Sequence, residues 1–150
     1  MNILVCISKA PDTTSKINFE ENNTKFSEAG VQFIVNPYDE WYALVRALEL
    51  KEAGGGKVSV VSVGGADYDA IIRKALAIGA DDAFRIDAVP TDSMQCASEI
   101  ATFAKDKGFD LILCGKETID YNGSNVAGMI AAILDLPFVS NAIKLDVNGS

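Results

Sequence analysis

Residues 57–87 read "KVSVVSVGGADYDAIIRKALAIGADDAFRID". The opening segment, 57–65, is apolar and β-branched until Gly64-Gly65 stops it, the pattern of a strand buried on both faces. Residues 67–80 change period: Ile71, Ile72, Ala75, Leu76 and Ile78 supply one apolar face of a helix. "DAFRID" (82–87) returns to a short strand. Strand, helix and strand in succession make a βαβ unit, which predicts a parallel sheet with right-handed crossovers.

The alternation extends in both directions. "NILVCI" (2–7) and "FDLILCG" (109–115) are further apolar strand runs, and "GVQFIV" (30–35) is a strand candidate or a short edge piece. Residues 8–26 are polar and unperiodic, a long loop of the kind that is often functional in a compact domain. "NPYDEWYALVRALELKEAGG" (36–55) has the clearest helical pattern. Asn36 suits the N-cap, Pro37 the first helical position, and Asp39 and Glu40 the positive end of the dipole. Trp41, Leu44, Val45 and Leu48 follow at helical spacing, and Gly54 to Gly56 end the helix. Helices are also expected over 92–107 and 124–136. A strand is expected to begin at 137, with "NG" near the end starting a hairpin turn. The pattern predicts one α/β domain over residues 1–150, truncated where that hairpin lacks a returning strand.

Composition narrows the chemistry. The chain is 49% hydrophobic and carries a formal net charge of -8, with no histidine. A general nucleic-acid footprint needs an excess of Lys and Arg, so it is disfavoured. A small anion held by backbone N–H groups is compatible with an acidic surface. Without histidine the commonest neutral-pH base and metal ligand are both missing. Cys6, Cys96 and Cys114 lie far apart with no metal spacing, which reads as reduced, buried thiols of a cytoplasmic protein. The opening "MNILVCIS" is too short and lacks the basic start of a signal peptide, so none is expected, and no run is long enough to insert into a membrane.

Ligands of open parallel sheets bind beyond the carboxyl ends of the strands. Four such ends are candidates: Cys6 to Lys9, Asn36 to Asp39, Val63 to Ala66, and Gly115 to Asn125. They converge on one rim if the strands at 2–7, 57–63 and 109–114 are neighbours. No GxGxxG or GxxxxGK[ST] motif occurs. Each segment also has a plainer reading. Asn36-Pro37 is a helix cap, Gly64-Gly65 a tight turn, and 115–125 a polar connection ending in an N-cap at Ser124 or nearby. The pairs Asp39-Glu40 and Asp81-Asp82 read as solvated or dipole-complementing carboxylates. Thr13 and Thr14 read as turn residues, and Ser8 with Lys9 points apart on a strand end.

The ordered set of segments carries more than any one of them. "ILVCISKAPDTTSKI" (3–17), "VNPYDEWYALVRALELKE" (35–52), "VSVGGADYDAIIRKALAIGADDAFRI" (61–86) and "FDLILCGKETIDYNGSNVAGMIAAILDLP" (109–137) together resemble the beta subunits of electron transfer flavoproteins. The resemblance implies a Rossmann-like open parallel sheet with helices on both faces, of the adenine-nucleotide-binding type. It implies an electron carrier, not an enzyme, paired with an alpha subunit in a heterodimer. FAD would sit mainly on the alpha subunit, and AMP, usually structural, would be buried in the beta subunit.

Carried onto this chain, the AMP contacts would come from Cys6, from Asn36, Pro37, Tyr38 and Asp39, and from Val63. The loop Gly115, Lys116, Glu117, Thr118, Ile119 and Asp120 would continue them through Tyr121, Asn122, Gly123, Ser124, Asn125 and Val126. The loop near Thr13 would face the flavin. Flavin dehydrogenases such as acyl-CoA dehydrogenases would donate electrons, and an acceptor oxidoreductase, membrane-bound or soluble, would take them. A bifurcating relative would hold a second FAD in place of AMP. A stand-alone AMP- or ATP-binding stress or signalling module on a similar fold is the other reading, although the late Gly-rich phosphate loop typical of such modules is not seen.

Overall fold

The computed structural model describes residues 1–148. Four parallel strands form the sheet: β1 (Asn2–Cys6), β6 (Lys57–Val63), β7 (Asp82–Ile86) and β8 (Leu111–Leu113), in the order β7-β6-β1-β8. Strand alternation sorts the core into two layers. Ile3, Val5, Val58 and Val60 face α1 (Asp39–Gly54) and α2 (Asp69–Ile78), whereas Leu4, Cys6, Val61 and Val63 face α3 (Ser93–Ala104) and α4 (Val126–Leu134). Helices cover both faces, so the central strands need no polar side; their buried polar side chains are Ser59 and Ser62 of β6. Burial of each such Val, Leu or Ile contributes about 1.5–3 kcal/mol.

The segment read as a loop has structure of its own. β2 (Lys9–Pro11) pairs antiparallel with β5 (Phe33–Val35), and β3 (Phe19–Glu20) with β4 (Lys25–Phe26). The 30–35 candidate is thus only the three residues of β5, in a ribbon apart from the main sheet. Glu21, Asn22 and Asn23 turn the β3–β4 hairpin with φ of 51°, 58° and 65°, a left-handed conformation that asparagine adopts more readily than most residues. Lys9 anchors the ribbon: its ammonium pairs with Asp67 and lies 3.9 Å from the Phe33 ring centroid.

Helix boundaries move inward from the sequence reading. α1 begins at Asp39, with Tyr38 at the cap position, φ 66°, and no side-chain cap. Asn36 and Pro37 therefore precede the helix instead of capping and opening it. Its buried face is Glu40, Leu44 and Ala47, while Val45 is exposed. A 3-10 turn (Ala66–Tyr68) leads into α2, and Leu76 and Ile78 fall on its exposed side. α3 is capped by Asp92, whose carboxylate accepts from Gln95 N–H at 2.8 Å. At α4 the cap position is Asn125, next to Ser124 as expected, but without a side-chain cap.

The strand expected from 137 is absent among the described residues. No ladder partner reaches this segment, and a strand without a partner gains no cross-strand bonds. Its backbone is held instead by Arg46, which donates to the Leu145 carbonyl at 2.6 and 3.2 Å. The Asn-Gly turn involves Gly149, which lies outside the described residues. No helix among the described residues is long and apolar enough to cross a membrane.

Candidate functional site

The carboxyl ends of β1, β6 and β8 lie side by side, so the segments after Cys6, Val63 and Leu113 converge on one rim. The residues entering α1 tie them together. Asn36 is fully buried. Its backbone N–H donates to Ser8 O at 3.0 Å, Nδ2 donates to Glu117 O at 3.0 Å, and Oδ1 accepts from Ile119 N–H at 3.0 Å. Those long-range bonds explain why Asn36 is not a cap: its amide is engaged by the loop after β8. One turn on, Asp39 Oδ2 accepts from Glu117 N–H at 3.2 Å.

Glu40 is buried and holds the exit of β1. Oε2 accepts from Ser8 N–H at 2.6 Å, and the Ser8 hydroxyl lies 2.8 and 3.0 Å from the two carboxylate oxygens. Gly115 packs against it so closely that a Cβ there would stand 2.6 Å from Glu40 Cγ. Both carboxylates lie in the first turn of α1, as dipole complementation requires, but Glu40 is buried and not solvated, which corrects that part of the sequence reading. Sequence reasoning missed Glu40 as a site residue. The available signal was its spacing, since it lies four and seven residues before Leu44 and Ala47 and so shares their buried stripe.

Burial pushes the Glu40 carboxyl up to about 7, against the Ser8 bonds that lower it; the Asp120 and Asp39 carboxylates add to the rise. The unfolded chain ionises this group near 4.5. Between those values the folded state keeps a proton that the unfolded state releases, so stability falls as pH rises through the window and levels off above it. Glu40→Gln keeps an acceptor for Ser8 N–H and offers Nε2 to its hydroxyl. Denaturation at a series of pH values should show wild type losing roughly 2–3 kcal/mol relative to this variant across the window. Parallel pH profiles would mean that Glu40 is ionised throughout.

The rest of the loop makes its own turn. Asn122 N–H donates to Thr118 O at 2.9 Å, Tyr121 N–H to Asp120 Oδ1 at 2.9 Å, and Asn122 has φ 51°. Asp120, Tyr121, Asn122, Gly123, Ser124 and Asn125 are exposed, whereas Thr118, Ile119 and Val126 are half-buried. Lys116, exposed, pairs with Glu117 at 3.2 Å. On the opposite side, Gly64 lies over the Tyr68 ring, which a Cβ would meet at 2.4 Å, and its carbonyl accepts from Arg85 at 3.0 Å.

Cys6 is buried in the rim's floor with Val63; Pro37 is half-buried and Tyr38 exposed at the entry to α1. Two surface clefts lie elsewhere, one lined by Thr14, Lys16 and Gln32, the other by Lys57, Phe84 and Lys107.

α1 and α4 start at this rim without a side-chain cap, in contrast to α3, whereas the 3-10 turn ahead of α2 already pairs Tyr68 N–H with Gly65 O and Asp69 N–H with Ala66 O. The unpaired N–H groups of an α-helix's first turn suit a phosphate. Among the described residues no group of His, Cys, Asp or Glu is arranged to hold a metal ion.

Comparison with known proteins agrees with this architecture. Residues 23–150 match the model of the electron transfer flavoprotein domain. The chain is 38% identical to the electron transfer flavoprotein subunit beta of Bacillus subtilis over 154 aligned residues, covering 100% of this chain and 59% of that protein. It is 33% identical to the corresponding subunit of Thermoanaerobacterium thermosaccharolyticum, covering 99% of this chain and 58% of the relative. It is also 36% identical to Protein FixA of Azotobacter vinelandii, covering 97% and 55%. The chain thus spans less than two thirds of the length of these relatives. The parallel sheet, its helices on both faces and the match over residues 23–150 show that the chain belongs to the electron transfer flavoprotein domain family, alongside its beta subunits.

Proposed function

We propose that the rim binds AMP and that the chain works as the beta-subunit part of an electron carrier, supporting the FAD of an alpha subunit. The observation carrying this reading is the clamp of Asn36, Asp39 and Glu40. Asn36 and Asp39 fix the loop after β8 beside the uncapped start of α4, and Glu40 holds the exit of β1. Backbone N–H groups there face an anion without requiring a basic side chain, which fits a protein of net charge -8. The small residues Gly123 and Ser124 leave room for close approach of a phosphate to the backbone, with nothing within 4 Å of where a Cβ on Gly123 would stand.

FAD, when bound, supplies the electron-carrying chemistry, and the protein supplies position and electrostatics. This chain's residues hold the nucleotide and shape the surface against which the alpha subunit packs. Electrons would pass from flavin dehydrogenases such as acyl-CoA dehydrogenases to an acceptor oxidoreductase.

Mass spectrometry of nucleotides released from the denatured heterodimer tests this. One AMP and one FAD is the expected result. Two FAD would replace AMP with a second flavin and make the protein bifurcating. Tightly held ATP on the lone chain, with turnover, would overturn the proposal in favour of a stand-alone nucleotide-binding module. Asp120→Ala with Asn122→Ala should lower nucleotide retention several-fold and leave the circular dichroism unchanged, because these exposed side chains shape the loop without supporting the core.

A further inference from the structure

Cys6 closes β1, and Cys114 follows β8 by one residue. The ladder between them runs Ile3 to Leu111, Leu4 to Ile112 and Val5 to Leu113. One further step at the same offset sets Cys6 beside Cys114. Alternation places both on one face: Leu4 and Cys6 belong to the core layer beneath α3 and α4, and Ile112 and Cys114 pack against that same layer. Neighbouring strands lie about 4.8 Å apart, within the Cα separation of about 4.4–6.8 Å that a disulfide spans. Both thiols are free, Cys6 buried and Cys114 half-buried.

We propose that Cys6 and Cys114 form a dithiol pair that a peroxide oxidises to a cross-strand disulfide. Cys114, half-buried where Cys6 is buried, reacts first. Its thiolate sulfur attacks one peroxide oxygen, the O–O bond breaks, and the departing hydroxide takes up a proton to become water. Cys114 is left as a sulfenic acid. The Cys6 sulfur then attacks the Cys114 sulfur, the S–O bond breaks, and the hydroxyl leaves as water with the Cys6 proton. One peroxide and two thiols thereby give one disulfide and two waters.

The environment divides these roles. The neighbouring Cys114 thiol, then burial, hold Cys6 well above the ordinary thiol range, with Glu40 adding to the rise. Cys6 therefore stays protonated until the adjacent sulfur becomes electrophilic, as suits a resolving thiol. Cys96, on α3, packs on the same layer but stands outside the ladder. Burial first, and the Glu40 carboxylate second, push it up to about 11, which disfavours it as the attacking group.

The test uses the full chain in its native complex, treated with stoichiometric hydrogen peroxide. Alkylation under denaturing conditions should fall from three reactive thiols to one, with a mass loss of about 2 Da in this chain. Peptide mapping should join Cys6 to Cys114, and dithiothreitol should restore all three thiols. Cys96→Ser should still form the bond, whereas Cys114→Ser should not. Three unchanged thiols, a disulfide that includes Cys96, or Cys114 oxidised beyond the sulfenic state without joining Cys6 would each overturn the proposal.

Discussion

Asn36→Leu should destabilise the protein by about 2–4 kcal/mol in denaturant titrations and abolish nucleotide retention. Leucine fills nearly the same space, so little cavity forms. The cost is polar: the Glu117 carbonyl and the Ile119 N–H lose their partners together. Each buried group left unpaired costs about 1–3 kcal/mol, with the low end expected here because the loop is half-buried and admits some water. Asn36→Asp separates the two bonds. An ionised aspartate still accepts from Ile119 N–H but turns a second acceptor toward the Glu117 carbonyl, at a fully buried position. Burial raises the pKa of such a carboxyl, and its protonated form can donate to that carbonyl. Its deficit should therefore shrink as pH falls. A pH-independent deficit would show that Asn36 does not bridge the loop by these two bonds.

Gly115→Ala is expected to cost about 1–3 kcal/mol through overpacking alone. The new Cβ would lie 2.6 Å from Glu40 Cγ, 3.0 Å from Glu40 N and 3.1 Å from Asp39 Cβ. Glu40 cannot swing aside cheaply, because Ser8 holds its carboxylate. Relief would have to come from the loop, moving the segment proposed to bind the nucleotide. A double-mutant cycle isolates the cause. In a Glu40→Ala background the Cγ contact is gone while the contact to the Glu40 backbone nitrogen remains, so the Gly115→Ala penalty should fall by at least about 0.5 kcal/mol without vanishing. Additive losses would place the strain elsewhere.

The main sheet was legible because β1 and β6 are buried and largely written as apolar β-branched runs, and half-buried β8 is apolar as well. α1 was legible as a helix, but its start was not. Asn-Pro followed by two acids is a local cap signature, while the groups that claim the Asn36 amide lie 81 and 83 residues away. No local pattern carries that information. Glu40 failed for a related reason: an acidic pair in a first turn reads as dipole compensation, and only the approach of Ser8 and Gly115 makes one of the two buried. The β2–β5 ribbon was hidden by strands too short to show a period. The apolar residues after 136 suggested a strand, yet a strand needs a neighbour to pair with, and composition does not supply one.

The clamp at the rim is built from ties that cross the chain. Ser8 meets Glu40 across 32 residues, and Glu117 meets Asp39 across 78. Closing such loops costs entropy before any bond repays it, so these contacts belong to the late, non-local part of folding. No foldon confined to α1, or to the βαβ unit of β6, α2 and β7, can contain the site. Amide exchange should show it: the Ser8, Glu117 and Ile119 protons should be released in a single cooperative opening, because the five residues 36–40 hold all three. The pocket is then an all-or-none possession of the folded chain, and a fragment that keeps its helices but loses either strand exit keeps nothing of it.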